Sequence, residues 1–74
     1  MSITPKQMRD ARRLLGWSQD RLAGLLGVSD ATISAFERGA RPSAFDVDQA
    51  RRLFERSAVE FSDDGETVRL TGAG

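Results

Sequence analysis

The sequence predicts a mostly α-helical fold of four to five helices that contains a helix-turn-helix and ends in a β-hairpin. The first observation is the stretch 18–39, in which two short apolar helices are separated by a tight turn. The second is a pair of alternating segments, 59–62 and 67–70, with Asp64-Gly65 between them. Helical periodicity and strand alternation are the primary signals of the two kinds of element.

The length of the chain allows one small domain. Its 74 residues form a core that supplies little stability by itself, so association with a second copy would help. We divide the chain into a helix-turn-helix domain over 1–58, a hairpin extension of the same compact unit over 59–70, and a frayed tail over 71–74.

The central stretch predicts helices at about 18–26 and 29–38, joined by the turn Gly27-Val28-Ser29. A serine before each helix can accept an unpaired N–H of the first turn, and a glycine after each tolerates positive φ. These four residues are Ser18, Gly27, Ser29 and Gly39. Apolar Ile33 and Phe36 give the second helix one core-facing side. The arrangement is that of a helix-turn-helix.

A first helix is predicted upstream of this motif. Thr4 is its cap, Pro5 takes the first helical position, and Gln7 completes a capping box. Gly16 ends the helix, and Trp17 is expected to pack back on the helix end. The alternative role for Trp17 is a stacking platform for bases.

A fourth helix is predicted after Pro42. Ser43, with Asp46 three residues later, indicates its beginning. An apolar stripe along it should close the core: Phe45, Val47, Ala50, Leu53 and Phe54.

The hairpin has one register that fits its side chains. A two-residue turn at Asp64-Gly65 places opposite-charged Glu60 and Arg69 across from each other. It also puts four apolar residues on one face: Val59, Phe61, Val68 and Leu70. A two-stranded ribbon is marginal in water, so this face needs a cover. Helix 4 of the same chain is one cover; a second subunit is the one we favour, which makes these four the predicted dimerisation residues.

Composition argues against several classes of protein. Without cysteine or histidine, disulfides and ordinary zinc sites are excluded, and we expect no metal and no cofactor. Carboxylates are the remaining general bases, and none forms a convincing pair, so we expect no enzyme. The Asp63-Asp64-Gly65 segment lacks the ligand series of a calcium loop. No apolar run has membrane-spanning length and the N-terminus does not resemble a signal peptide, so we expect a cytoplasmic protein without a membrane partner.

The charge is unevenly distributed along the chain. The net charge is zero, but residues 1–42 hold seven basic and four acidic residues, a balance of +3, and residues 43–74 carry −3. The positive half contains the helix-turn-helix, where it can attract phosphate.

The residue identities in this motif resemble those of a known family. Ser18-Gln19, Ala23, the Gly27-Val28-Ser29 turn, Thr32-Ile33-Ser34 and Glu37-Arg38-Gly39 are similar to the XRE-type regulators related to phage Cro and repressor proteins. The resemblance runs from about Met8 to Leu53. It implies a repressor-like domain that binds double-stranded DNA, regulates transcription and acts as a homodimer on a two-fold repeat.

The resemblance also implies which residues meet DNA. The second helix of the motif would enter the major groove and the first would cross the backbone. With Ile33 and Phe36 in the core, the residues expected to face the bases are Asp30, Ala31, Ser34 and Ala35, together with Gln19 from the preceding helix. The residues expected at phosphates are Ser18, Arg21, Ser29, Thr32, Arg38 and Arg41. Arg12 is expected to pair with Glu37 in a structural role.

The predicted base-reading face has few side chains that can form hydrogen bonds with bases. Ala31 and Ala35 offer only methyl groups, and Asp30 repels phosphate while accepting from cytosine. Specificity then depends on Ser34, Gln19, DNA shape and half-site spacing. The alternative function is a helix-turn-helix that binds a protein, as in an antitoxin or a co-regulator.

Overall fold

The structure, a computed structural model, describes residues 3–41 and 45–71, and in these ranges four helices precede a two-stranded hairpin. The elements in chain order are α1 (Pro5–Leu14), α2 (Gln19–Leu26), α3 (Asp30–Glu37), α4 (Val47–Arg56), β1 (Val59–Phe61) and β2 (Val68–Leu70). The predicted mostly α-helical fold with a helix-turn-helix and a C-terminal hairpin is confirmed.

The ends of the first three helices follow the predicted capping residues. Thr4 Oγ1 accepts the N–H of Gln7 at 3.1 Å, and Gln7 Oε1 accepts the N–H of Thr4 at 3.1 Å, which completes the capping box. Ser18 and Ser29 cap α2 and α3. Gly27 has φ of 72°, the left-handed conformation that lets the chain turn from α2 into α3.

The beginning of α4 differs from the prediction. The helix begins at Val47, and Asp46 is its cap, with Oδ1 accepting the N–H groups of Asp48 at 3.0 Å and Gln49 at 3.3 Å. A carboxylate caps a helix about as well as a hydroxyl, and its charge is favourable at the positive end of the helix. Ser43, the predicted cap, lies outside the described residues.

Phe54 of α4 lies at the centre of the core with no exposed surface. Its ring stacks on Trp17, with centroids 5.7 Å apart, and meets the edge of Phe61 at 6.0 Å. The stacking favours the structural role of Trp17 over a platform for bases. The other large apolar side chains that are almost completely buried are Met8, Leu22, Ile33 and Val59, which come from α1, α2, α3 and β1.

The hairpin has the predicted register but a longer loop. The pairs are Val59 with Leu70, Glu60 with Arg69, and Phe61 with Val68. The N–H of Ser62 donates to Thr67 O at 3.0 Å, so residues 63–66 form a four-residue loop. The prediction of a two-residue turn at Asp64-Gly65 was wrong. The type I′ turn expected for Asp-Gly needs positive φ at both positions, and only Gly65, at 78°, has it.

The hairpin loop is attached to the N-terminal end of α1. Gln7, which is 1% exposed, donates from Nε2 to Ser62 O at 2.9 Å and to Thr67 O at 3.1 Å. Thr4 Oγ1 donates to Gly65 O at 2.7 Å. The capping box therefore has a second role, since the residues that begin α1 also hold the loop.

The apolar face of the hairpin is covered mainly by the chain itself. Val59 is 2% exposed, and Phe61 and Val68 are half-buried against the core, whereas Leu70 is 50% exposed. Of the two covers considered for this face, the same chain therefore supplies most, and Val59 is not accessible to a second subunit. Thr71, which was predicted to belong to a frayed end, is held by a hydrogen bond, because its N–H donates to Ala58 O at 2.7 Å. Residues 72–74 lie outside the described chain.

Candidate nucleic-acid interface

Helix α3 has one buried side and one accessible side. Ile33 is fully buried and Phe36 is 6% exposed, and both pack in the core. The other side carries the four predicted base-reading residues of this helix: Asp30 and Ala31 are exposed, and Ser34 and Ala35 are half-buried. The spacing of the two apolar residues therefore decides which side α3 presents to solvent.

The beginnings of α2 and α3 are both at the surface. Ser18 is exposed, and its Oγ accepts the N–H of Arg21 at 3.0 Å. Ser29 is exposed as well, and its Oγ accepts the N–H of Thr32 at 3.2 Å and lies 2.9 Å from the Thr32 hydroxyl. Each helix start presents free backbone N–H groups and the positive end of the helix dipole, which suit a phosphate.

Three exposed arginines belong to the helix-turn-helix or follow it directly. Arg21 lies in the first turn of α2, Arg38 caps the end of α3, and Arg41 follows shortly after. Arg38 differs from the other two because its Nη1 donates a hydrogen bond to Ser34 Oγ at 2.6 Å. This contact was not predicted from the sequence, although residues four apart on a helix are at the spacing at which side chains meet.

Arg12 and Glu37 form a nearly buried ion pair between α1 and α3. Arg12 Nε lies 2.8 Å from Glu37 Oε2 and Arg12 Nη2 lies 3.0 Å from Oε1, while Nη1 donates to Trp17 O at 3.0 Å. The side chains are only 12% and 5% exposed. This bidentate geometry neutralises the carboxylate beside the accessible side of α3 and fixes the helix against α1.

Gln19 joins the same cluster. Its Nε2 donates to Glu37 Oε1 at 3.1 Å, so the first residue of α2 is tied to the last residue of α3. Gln19 is predicted from the sequence to contact DNA, and its bond to Glu37 is not. The two residues are 18 positions apart in the sequence and meet only because α2 packs against α3. No local sequence pattern predicts such a contact.

Helix α3 lies at the surface, follows α2 after a short turn and is fixed against it, and the N-termini of both helices are accessible. This arrangement is a helix-turn-helix. Comparison with family models agrees with this class: a helix-turn-helix model matches residues 8–61, which is most of the chain. The chain belongs to the XRE-type helix-turn-helix family of DNA-binding regulators. A search of curated protein sequences found no match. Among residues 3–41 and 45–71, no helix is long and apolar enough to cross a membrane.

Proposed function

We propose that the protein regulates transcription by binding a specific double-stranded DNA site as a homodimer. In this proposal α3 enters the major groove and α2 crosses the phosphate backbone, the docking that helix-turn-helix proteins use. The observation that carries it is the accessible side of α3, which is free of large apolar side chains. The same motif has two open helix starts, and three exposed arginines lie in it or directly after it.

Phosphate contacts supply most of the affinity in this proposal. The cationic anchors are Arg21 and Arg41, and the helix starts at Ser18 and Ser29 offer N–H groups to the backbone, with Thr32 beside the second. The pairing of Glu37 with Arg12 supports the assignment, because an unpaired carboxylate at this position would repel the DNA.

Base contacts come from the side of α3 that holds Asp30, Ala31, Ser34 and Ala35, with Gln19 at its edge. The small side chains at 31 and 35 allow the helix backbone to approach the base edges closely, and their methyl groups suit a thymine methyl. Because one N–H of the Gln19 amide already donates to Glu37, Gln19 can contact a base only through its second N–H or its oxygen.

A homodimer places two copies of α3 about one DNA turn apart, which compensates for a reading face with few hydrogen-bonding groups. Of the predicted dimerisation residues, Leu70 is the most accessible at 50% exposed, with Phe61 and Val68 half-buried beside the same ribbon. We place the subunit contact around Leu70, and the outer edges of the strands extend it.

The DNA proposal is tested by selection from a pool of duplexes with a random 24-base-pair centre. The purified protein should enrich a two-fold repeat and protect it in a footprint. Arg41→Ala and Arg21→Ala should weaken binding to every duplex alike and lower the slope of log K against log[salt] by roughly one unit each. Gln49→Ala, an exposed change on α4, is the matched control. Failure to enrich any sequence at low salt would leave the protein-binding alternative.

The dimer proposal is tested by light scattering at high micromolar concentration. Leu70→Asp should give a folded monomer that binds a single half-site weakly. Leu25→Asp alters a similarly exposed leucine, at 47%, on α2 and should leave the oligomeric state unchanged. A wild-type chain that remains monomeric with and without the selected duplex contradicts the proposal.

A further inference from the structure

The hydrogen bond between Arg38 and Ser34 changes what Arg38 can do on DNA. Arg38 Nη1 donates to Ser34 Oγ at 2.6 Å, so the side chain extends back along α3 by one turn. Side chains on a helix generally point toward its N-terminus, and the contact of Arg38, the residue that caps α3, has the same direction. Four residues at 1.5 Å each bring the guanidinium about 6 Å nearer the beginning of α3. The guanidinium then lies level with Ser34, in the middle of α3, and closer to the N-terminal part of the helix, which meets base edges in helix-turn-helix proteins.

The tether keeps the chemistry of the guanidinium available. Ser34 is neutral, so Arg38 keeps its full positive charge, whereas Arg12 is neutralised by Glu37. Arg12 also shows how the group divides its donors: Nη1 takes a single oxygen, while Nε and Nη2 form a two-pronged edge toward a carboxylate. Within the described chain, Arg38 has the same single contact through Nη1. Arg38 is exposed, so its Nε and Nη2, which form one edge with two parallel donors, remain for a ligand.

The neighbourhood leaves room for this edge to reach a base. Ala31 and Ala35 lie on the same side of α3 and are the smallest side chains that carry a Cβ. Two parallel N–H donors match the N7 and O6 acceptors that guanine presents in the major groove, and no other base pair offers this pair of acceptors on one base. A phosphate anchor would not need the tether, because it gains from reaching outward to the backbone.

We propose that Arg38 is the principal specificity residue of the protein, reads a guanine in each half-site through Nε and Nη2, and is held in position by Ser34. This replaces the phosphate role that its sequence position indicated. It rests on the proposed function, since it names the base that the α3 side would recognise.

The experiment uses the full-length chain and the duplex enriched by wild type from the random pool, together with all single base-pair variants of that duplex. For wild type, changing one G·C pair in each half-site should weaken binding roughly 5- to 150-fold, the range for a good bidentate contact. Arg38→Ala should bind the enriched duplex and these G·C variants equally, while its discrimination at every other position is retained.

Two further variants separate base reading from charge and from folding. Arg38→Lys keeps a phosphate-binding charge but has no two-pronged edge, so it should preserve the salt slope and still lose the guanine preference. Ser34→Ala should reduce the preference partly. Replacing the guanine with 7-deazaguanine removes the N7 acceptor and should weaken wild type but not Arg38→Ala. Thermal melting checks that each variant is folded. The Arg38 variants should fold normally, because this side chain is exposed.

The outcomes distinguish the two proposals. If wild type enriches a site and Arg38→Ala weakens all duplexes by the same factor, with rescue by Arg38→Lys, then Arg38 is a phosphate anchor and the inference is overturned while the proposed function stands. If wild type enriches no sequence, the proposed function itself fails.

Discussion

Arg12 donates two hydrogen bonds to the carboxylate of Glu37, from Nε at 2.8 Å and from Nη2 at 3.0 Å, and thereby joins α1 to α3. Gln19 donates to the same carboxylate from α2. One carboxylate thus holds three helices in the relative positions that present α3 to solvent.

Breaking this ion pair should remove a large part of the free energy of unfolding. Arg12→Ala leaves a carboxylate that is 5% exposed with a reduced set of donors, and breaking a buried pair costs about 3–5 kcal/mol. A 74-residue domain has roughly 4–11 kcal/mol of total stability. Urea unfolding measures the loss. Arg69→Ala is the control, because its pair with Glu60 is 77% and 53% exposed and should contribute below about 1 kcal/mol. Equal losses in the two variants would contradict the structural role of Arg12.

Gln7 should stabilise the attachment of the hairpin to α1. Gln7→Met keeps the volume of the side chain but removes the donor to Ser62 O and Thr67 O and the acceptor for Thr4 N–H. Both carbonyls retain one backbone partner, so we expect a loss of about 1–3 kcal/mol rather than the sum of several orphaned groups. Gln49→Met, on the exposed side of α4, should change the free energy of unfolding by less than about 0.5 kcal/mol. Amide exchange of β2 should rise in Gln7→Met alone.

The hairpin loop should lose stability in acid. The pKa of Asp64 is lowered from its ordinary value of 3.8, chiefly by the hydrogen bond from the Ser62 hydroxyl and next by that from the N–H of Glu66. A carboxyl whose pKa is depressed by folding stabilises the folded state above its unfolded pKa and loses that contribution as pH falls through the folded value. Thermal midpoints measured below pH 4 should therefore fall more steeply for wild type than for Asp64→Asn. Parallel curves would show that the loop contacts do not favour the charged form.

Two glycines should respond to alanine in opposite directions. Gly24 lies within α2, and a Cβ there meets nothing within 4 Å, so Gly24→Ala should raise the free energy of unfolding by about 0.8–1.0 kcal/mol. Gly65 has φ of 78°, and a Cβ there would lie 2.7 Å from Thr4 Cγ2.

Gly65→Ala should therefore cost at least about 1–2 kcal/mol, the penalty of the left-handed conformation alone. Thr4 cannot move away easily, because its hydroxyl bonds both Gly65 O and the N–H of Gln7. Urea unfolding measures both variants, and a stabilising Gly65→Ala would show that the loop is not held against α1.

The elements that have local signals could be predicted from the sequence alone. The caps at Thr4, Ser18 and Ser29 each bond an N–H three residues away, so the beginnings of three helices could be predicted. The strand register was also predictable, because only one pairing aligns the apolar residues and places Glu60 opposite Arg69. The start of α4 was misplaced because Ser43 and Asp46 are both good caps, and no local rule chooses between them.

Tertiary structure decided the partners of polar side chains and the cover of the hairpin. Gln7 bonds residues 55 and 60 positions away, and Gln19 bonds one 18 positions away. Such contacts exist only once the helices have packed, and a sequence pattern with a period of two or 3.6 residues does not encode them. The same packing buries Val59 within the chain and leaves Leu70 half-exposed, although both belong to one apolar face. Periodicity determines which residues share a face, and the position of neighbouring elements determines how much of that face remains accessible.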